Sequence, residues 1–193
     1  MDKKTLHTLS KDSLDIIAKA IEEIDGVELE HFLNKVLDVR KRKKRIYIAA
    51  LGRSFLVMKA FAMRLMQLDF EVYVVGEIIT PAIKAGDLLI VGSGSGNTRS
   101  LAVFAKEAIE RQAEVLLITR NEDSLLKKLA NGGCLRIPCG LARNQQQSNG
   151  SLFEESLLVL LDQCAVMFAQ HMNYFERYAD YNAIVAHRHA NLQ

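Results

Sequence analysis

Hydrophobic positions follow two different periods along this chain. From Leu6 to Arg42, apolar residues recur at helical spacing in two stretches that Gly26 separates, which predicts two helices. From residue 45 onward, short apolar runs typical of buried strands alternate with amphipathic stretches. The predicted strands are Ile46–Leu51, Val72–Val75, Leu88–Val91, Val115–Thr119 and Leu135–Ile137. The predicted helices between and after them are Phe55–Leu68, Ser100–Gln112, Ser124–Ala130 and Leu152–Met172.

Strands that alternate with helices form parallel pairs through right-handed crossovers. The pattern therefore predicts an α/β protein, a three-layer αβα sandwich around a five-stranded parallel sheet of the flavodoxin-like or Rossmann-like kind. We expect a single domain over residues 1–193, with N-terminal helices in 1–44, the α/β core in 45–150, and a C-terminal helix and arm in 151–193. The polar stretch 138–150 predicts a mobile loop. The aromatic tail after Asn173 predicts a helical arm that packs on another subunit.

Composition and charge are those of an ordinary globular protein, with 49% hydrophobic residues, 25% charged residues and a net charge of +2. This balance gives no indication of nucleic-acid binding. The cationic run Arg40–Arg45 is interpreted as a solvated helix end, with RNA attraction or steering of an anionic substrate as alternatives. No apolar run reaches the ~18 residues of a membrane span, and no signal-peptide pattern follows the N-terminus.

The three cysteines, Cys134, Cys139 and Cys164, are an odd set without C-x-x-C spacing. They are predicted to be buried or neutral thiols rather than metal ligands or redox groups. Together with the missing signal-peptide pattern, they predict a cytoplasmic protein.

A phosphate-binding loop is predicted between Val91 and Ser100, where V-G-S-G-S-G-N-T-R-S follows a buried strand and begins a helix. The glycines allow a tight turn that exposes backbone N–H groups, and the helix adds unpaired donors and the positive end of its dipole. Three hydroxyls can donate hydrogen bonds to phosphate oxygens. The predicted phosphate-binding residues are Ser93, Gly94, Ser95, Gly96, Asn97 and Thr98.

Other nucleotide-binding loops fit these residues poorly. A Walker A loop requires a Lys after Gly96, and a dinucleotide fingerprint requires Gly where Asn97 stands. That fingerprint also expects an acidic residue at the end of the next strand, where Thr119 and Arg120 stand. NADP binding through Arg120 and a ligand-free glycine-serine turn remain the alternatives.

A second candidate loop, Gly52-Arg53-Ser54, follows the first predicted strand and also begins a helix. Arg53 can complement anionic ligand oxygens. Ser54 can contact the ligand, or it can simply cap the helix.

Together these motifs resemble a known family. The segment Gly92–Thr98 is similar to the loop of the sugar isomerase (SIS) domain. Further matching stretches are G-R-S at 52–54, K-A-F-A-M-R-L at 59–65, V-Y-V-V-G-E at 72–77, T-P-A-I-K at 80–84, S-L-F-E at 151–154 and R-H-A-N-L at 188–192. The set resembles the 6-phospho-3-hexuloisomerase family over nearly the whole chain from Ile46. Asn97 departs from the family, which carries Glu there.

The resemblance implies an SIS-type fold and a sugar-phosphate isomerase that needs no metal or cofactor. It implies interconversion of D-arabino-3-hexulose 6-phosphate and D-fructose 6-phosphate through an enediol, in a homo-oligomer, a tetramer or a dimer. Glu154 matches the family's catalytic base; otherwise it is an ordinary acid in the first turn of a helix. His189 matches a second catalytic residue, which reaches the pocket of a neighbouring subunit; otherwise it is a surface residue. The alternatives are another phosphosugar aldose–ketose isomerase and a non-catalytic phosphosugar sensor.

Overall fold

The computed structural model describes residues 2–139 and 149–191. The predicted loop at 138–150 therefore lies mostly outside the described residues. In chain order the elements are α1 (Lys3–Glu22), α2 (Gly26–Lys41), β1 (Ile46–Ala49), α3 (Gly52–Gln67), β2 (Val72–Val74), β3 (Leu88–Gly92), α4 (Arg99–Glu110), β4 (Glu114–Thr119), α5 (Leu125–Leu129), β5 (Gly133–Arg136), α6 (Asn149–His171), α7 (Tyr174–Arg177) and α8 (Tyr181–His187).

The strands form a five-stranded parallel sheet in the order β2-β1-β3-β4-β5. This confirms the predicted α/β fold with a five-stranded parallel sheet. Strand bounds differ from the prediction by one or two residues. β5 begins two residues earlier than predicted, at Gly133. β1 stops two residues earlier, at Ala49, because the chain leaves the sheet and turns into α3 at Gly52, where φ is +58°.

Alternate strand residues face the two sides of the sheet, as the pleat of a strand requires. Ile46, Ile48, Leu88 and Ile90 pack into the larger core, against α2, α3 and α6. Tyr47, Ala49, Leu89 and Val91 pack into the smaller core, against α4 and α5. Burial on both faces explains why these strands appear in the sequence as continuous apolar runs.

The strand order creates a crevice at one place on the sheet edge. β1 and β3 are neighbours, but β2 lies outside β1 and β4 lies outside β3, so the connections from these central strands run in opposite directions. Ligands of open α/β sheets bind at such a switch point, beyond the carboxyl ends of the strands. Both candidate loops of the sequence begin there.

The cationic run at the end of α2 is partly paired. Arg42 forms ion pairs with Asp38 and Glu114, and Arg45 pairs with Glu71. These pairs fasten the end of α2 to the sheet, in keeping with a helix end rather than a free basic patch.

The C-terminal arm packs on its own chain. Tyr174 in α7 and Ile184 in α8 are buried, and α8 lies against α3. The arm is helical as predicted and packs on α3 of its own chain; its packing on another subunit stays a prediction. No helix of the described residues is long and apolar enough to cross a bilayer.

Candidate active site

A polar pocket of about 250 Å³ opens at the switch point. The ends of β1, β3 and β4 and the start of α6 surround it. Four hydroxyl side chains line it, those of Ser54, Ser93, Ser95 and Thr98. The two predicted loops thus contribute to one pocket.

The loop after β3 presents these hydroxyls in a fixed arrangement. Ser93 Oγ lies 3.3 Å from Thr98 Oγ1, and it accepts a hydrogen bond from the Gly96 amide at 3.2 Å. Thr98 stands at the N-cap of α4 without bonding its side chain to the helix. The unpaired first-turn amides and the helix dipole therefore favour a negative charge at this end of the pocket.

Two loop glycines are required by sterics. A Cβ on Gly94 would lie 2.9 Å from Cδ1 of Phe153, so the loop could not approach α6 as closely. Gly96 has φ of +66°, and a Cβ there would lie 2.3 Å from Ser124 Oγ. Gly94 lines the pocket, whereas Gly96 does not. The role of Gly96 in the structure is to shape the loop.

Asn97 does not line the pocket either. Its Oδ1 accepts a hydrogen bond from the Leu125 amide at 3.0 Å, which caps the start of α5. Asn97 thus joins the loop after β3 to the helix after β4. The departure that the sequence resemblance implies at this position therefore falls on a capping contact.

Glu154 is brought together with the loop after β1. Arg53 Nε donates a hydrogen bond to Oε2 of Glu154, and Ser54 Oγ donates to Oε1 at 3.3 Å. The Glu154 side chain is 11% exposed, while that of Arg53 is 67% exposed. The hydrogen bond with Glu154 raises the pKa of Arg53, which keeps the guanidinium charged.

The carboxylate of Glu154 borders the pocket through Ser54. Ser54 lines the pocket, whereas Glu154, Arg53 and Gly52 do not. Both oxygens of Glu154 are occupied by donors from α3. Each oxygen keeps a further lone pair, so the carboxylate can still accept a proton.

His189 lies at the other end of α3. Its Nδ1 is 3.5 Å from Nε2 of Gln67, in the last turn of the helix, and the residue is exposed. Ser54 and Gln67 are thirteen positions apart in α3, a distance of about 20 Å along the helix. The structure therefore does not bring His189 to the pocket of its own chain.

Arg120 and Phe153 are pocket residues that the sequence reasoning did not place there. The sequence suggests Arg120 only as a contact for NADP, whereas its position just after β4 puts it at the carboxyl edge of the sheet. Phe153 precedes Glu154 in α6, and its ring packs beneath Gly94. Its apolar character gave no signal of a site.

The three cysteines are free and buried, as the sequence predicts. Burial raises the pKa of Cys134 to about 11 and that of Cys164 to about 12, so neither is a reactive thiolate. Among residues 2–139 and 149–191, no group of three His, Cys, Asp or Glu side chains is arranged to hold a metal ion.

Comparison with known proteins gives the family. The SIS domain model matches residues 40–138. A 3-hexulose-6-phosphate isomerase from Mycobacterium gastri is 38% identical over 158 residues, 77% of this chain and 74% of that protein. Its counterpart from Methanocaldococcus jannaschii is 33% identical over 165 residues, 86% of each chain.

The fold agrees with these matches. The chain superposes on a crystal structure of a Methanococcus jannaschii protein with a TM-score of 0.78. For that protein, a function of 3-hexulose-6-phosphate isomerase was inferred from its structure. It is 28% identical and covers 98% of this chain and 99% of that one. The chain belongs to the SIS domain family. Within that family, the relatives described above are 3-hexulose-6-phosphate isomerases or proteins inferred to be so.

Proposed function

We propose that this protein interconverts D-arabino-3-hexulose 6-phosphate and D-fructose 6-phosphate. The observation that carries the proposal is that one pocket joins the hydroxyls of the loop after β3 to Ser54, which bonds the buried carboxylate of Glu154. Relatives named 3-hexulose-6-phosphate isomerase, 32–42% identical, support the reaction and the sugar-phosphate ligand.

The phosphate group binds at the start of α4. Ser93, Ser95 and Thr98 donate hydroxyl hydrogen bonds, and the first-turn amides of α4 add backbone donors. Gly94 lines the same surface without a side chain, so the anion can approach the backbone closely. Binding of the phosphate holds the sugar carbons at a set distance from the loop, so it also orients the sugar for reaction.

Glu154 is the base. Fructose 6-phosphate loses the proton on C3 to the carboxylate, the C2 carbonyl becomes an enediol, and the proton returns to C2 as the carbonyl forms at C3. One carboxylate can serve both carbons because they are adjacent. Arg53 can turn from Glu154 toward anionic substrate oxygens, since its side chain is long and mostly exposed, whereas Ser54 is held in the first turn of α3.

His189 acts from a neighbouring subunit. Within one chain the tail holds it at the far end of α3 from the pocket. A homo-oligomer, a dimer or a tetramer, that brings this end of one subunit to the pocket of another supplies an imidazole that can move protons between the sugar oxygens. We further propose that the chain is a single SIS domain and acts in the cytoplasm.

Isotope exchange tests the reaction. The protein is incubated with fructose 6-phosphate in D₂O, and both deuterium positions and products are followed by NMR. We expect deuterium at C3 of fructose 6-phosphate and at C2 of the 3-hexulose 6-phosphate that forms, and none at C1.

Two other outcomes contradict the proposal. Deuterium at C1 would identify an isomerase that moves the carbonyl between C1 and C2. Saturable binding of fructose 6-phosphate, with neither exchange nor product, would identify a phosphosugar sensor.

A further inference from the structure

Arg120 is the cation of the pocket that has no role in the mechanism above. It follows β4 directly, and its partly buried side chain lines the pocket beside Ser93, Ser95 and Thr98. The other pocket-lining groups considered above are neutral hydroxyls, backbone or apolar side chains. A dianionic phosphate would meet partial charges from the helix and one full positive charge, that of Arg120.

The backbone of Arg120 is fixed against the phosphate loop. The Ser93 amide donates to the Ile118 carbonyl at 3.0 Å, so the loop starts in register with the end of β4. The two neighbours of Arg120 also bond the loop, because Thr119 Oγ1 donates to the Gly94 carbonyl at 3.3 Å and Asn121 Nδ2 donates to the Ser95 carbonyl at 3.0 Å. Arg120 therefore cannot move away from the loop without breaking contacts on both sides.

The guanidinium of Arg120 is without a counter-ion in the described part of the chain. Seven described arginines, by contrast, each pair with a carboxylate. Glu122, the acidic residue nearest to Arg120 in the sequence, forms an ion pair with Arg136. A charged group held in a polar pocket with no partner there is suited to a ligand anion.

We propose that Arg120 binds the phosphate of the substrate and gives this pocket its preference for a phosphate dianion over a neutral sugar. The proposal rests on the proposed function, since it assigns a residue to the same pocket. A guanidinium presents two parallel N–H donors that match two phosphate oxygens, which hydroxyls and helix amides do not supply as a unit. Arg120 is thus a specificity-determining residue that acts on affinity and not on the proton transfer.

The test compares Arg120→Gln, Arg120→Lys and the control Arg111→Gln. Arg111 closes the far end of α4 and pairs with Glu107 on the surface, so its loss changes the net charge equally without touching the pocket. Each variant is examined by steady-state kinetics with fructose 6-phosphate and by calorimetric titration with inorganic phosphate. Far-ultraviolet circular dichroism checks that each one is folded.

For Arg120→Gln we expect KM and the Kd for phosphate to rise about 10- to 100-fold, while kcat changes less than about threefold. Arg120→Lys keeps the charge but loses the two-donor geometry, so both constants should rise about three- to tenfold. Arg111→Gln should match the wild type. The wild-type affinity for phosphate should also fall as pH drops through the second pKa of inorganic phosphate, where the dianion is protonated, and this dependence should flatten in Arg120→Gln.

Unchanged KM and Kd in Arg120→Gln overturn the proposal, as does a loss confined to kcat. If Arg120→Gln does not fold, the Lys variant decides in the same way. Phosphate titration separates this proposal from the reaction itself. Wild-type protein that binds phosphate through Arg120 but shows no carbon-bound isotope exchange would support the inference and contradict the proposed isomerase.

Discussion

The two ends of helix α3 have different tasks. Its first turn carries Arg53 and Ser54, which hold the carboxylate of Glu154 beside the pocket. Its last turn and the turn that follows hold the C-terminal arm, where Gln67 contacts His189 and Asp69 pairs with Arg188. The end of α3 at the pocket lies beside strand ends that the sheet holds in place. The other end of α3 contacts the C-terminal arm mainly through side chains.

This difference shows that the two proposed catalytic residues, Glu154 and His189, are held at opposite ends of α3. Glu154 is positioned by its own chain, through contacts that are complete in a single subunit. His189 is positioned by its own chain too, but at the far end of α3 from that pocket. A residue that is fixed by specific contacts at about 20 Å from the local pocket is consistent with delivery to a second subunit.

The largest effect is expected for Glu154→Gln. The amide cannot accept the carbon-bound proton, so kcat should fall by about 10²- to 10⁴-fold. The phosphate loop is untouched, so the Kd for fructose 6-phosphate, measured by calorimetry, should stay within a few-fold of the wild type.

Glu155→Gln is the matched control for that variant. Glu155 is the next residue of α6 and carries the same charge, but its Oε2 is buried without a hydrogen-bond partner among the described residues. We expect turnover close to that of the wild type. Wild-type turnover in Glu154→Gln would remove Glu154 from the mechanism, and equal losses in both variants would show that only the local charge matters.

The assignment of His189 to a neighbouring subunit is sharpened by mixing two variants. His189→Ala alone should lose about 10²-fold in kcat. When it is unfolded, mixed equally with Glu154→Gln and refolded, a subunit with intact Glu154 can meet one with intact His189. For a two-fold site, about a quarter of the wild-type activity should return.

Refolding each variant alone is the control, and it should return only the residual activity of that variant. If the mixture stays inactive while refolded wild-type protein recovers fully, Glu154 and His189 do not act across subunits. Gel filtration of the same samples reports whether the protein is a monomer, a dimer or a tetramer.

Sequence patterns predicted the parts of this molecule that depend on local order. The strands and the loop hydroxyls of Ser93 and Thr98 could be predicted because hydrophobic periodicity and strand-to-helix junctions depend on residues that are close together in the sequence. Contacts between distant segments were not accessible in this way. The pair between Arg53 and Glu154 joins residues 101 positions apart. The capping role of Asn97 could not be predicted because it depends on where α5 lies.

The same limit applies to the arm and to Arg120. A polar, aromatic tail indicates that the tail packs against another surface. The sequence pattern does not distinguish α3 of the same chain from a second subunit as that surface. Arg120 became a pocket residue only through the pairing of β3 with β4. The catalytic roles of Glu154 and His189 came from the resemblance, and they stay predictions until the variants above are measured.

The smallest effect is expected at the far end of α3, for Asp69→Asn. Burial raises the pKa of Asp69, but hydrogen bonds from Tyr174 and Arg188 outweigh it and leave the pKa below its ordinary value. Such a group stabilises the docked arm above the pKa of the free carboxyl, about 3.9, and this stabilisation is lost as pH falls through the lower folded value. Asp69 has φ of +62°, a conformation that Asn tolerates equally well, so the change adds no backbone strain.

Hydrogen exchange of the α7 and α8 amides reads this contact directly. In the wild type we expect the protection of these amides to fall on acidification below pH ~4. In Asp69→Asn their protection should be lower by about 1 kcal/mol at pH 7 and should change less as the pH falls. Asp38→Asn, which loses a comparable surface pair with Arg42 on α2, should leave the arm unchanged. Equal protection of the arm in Asp69→Asn and wild type would mean that apolar burial of Tyr174 and Ile184 holds it alone. The position of His189 would then be set by packing and not by Asp69, and the two ends of α3 would no longer differ in the kind of contact that fixes them.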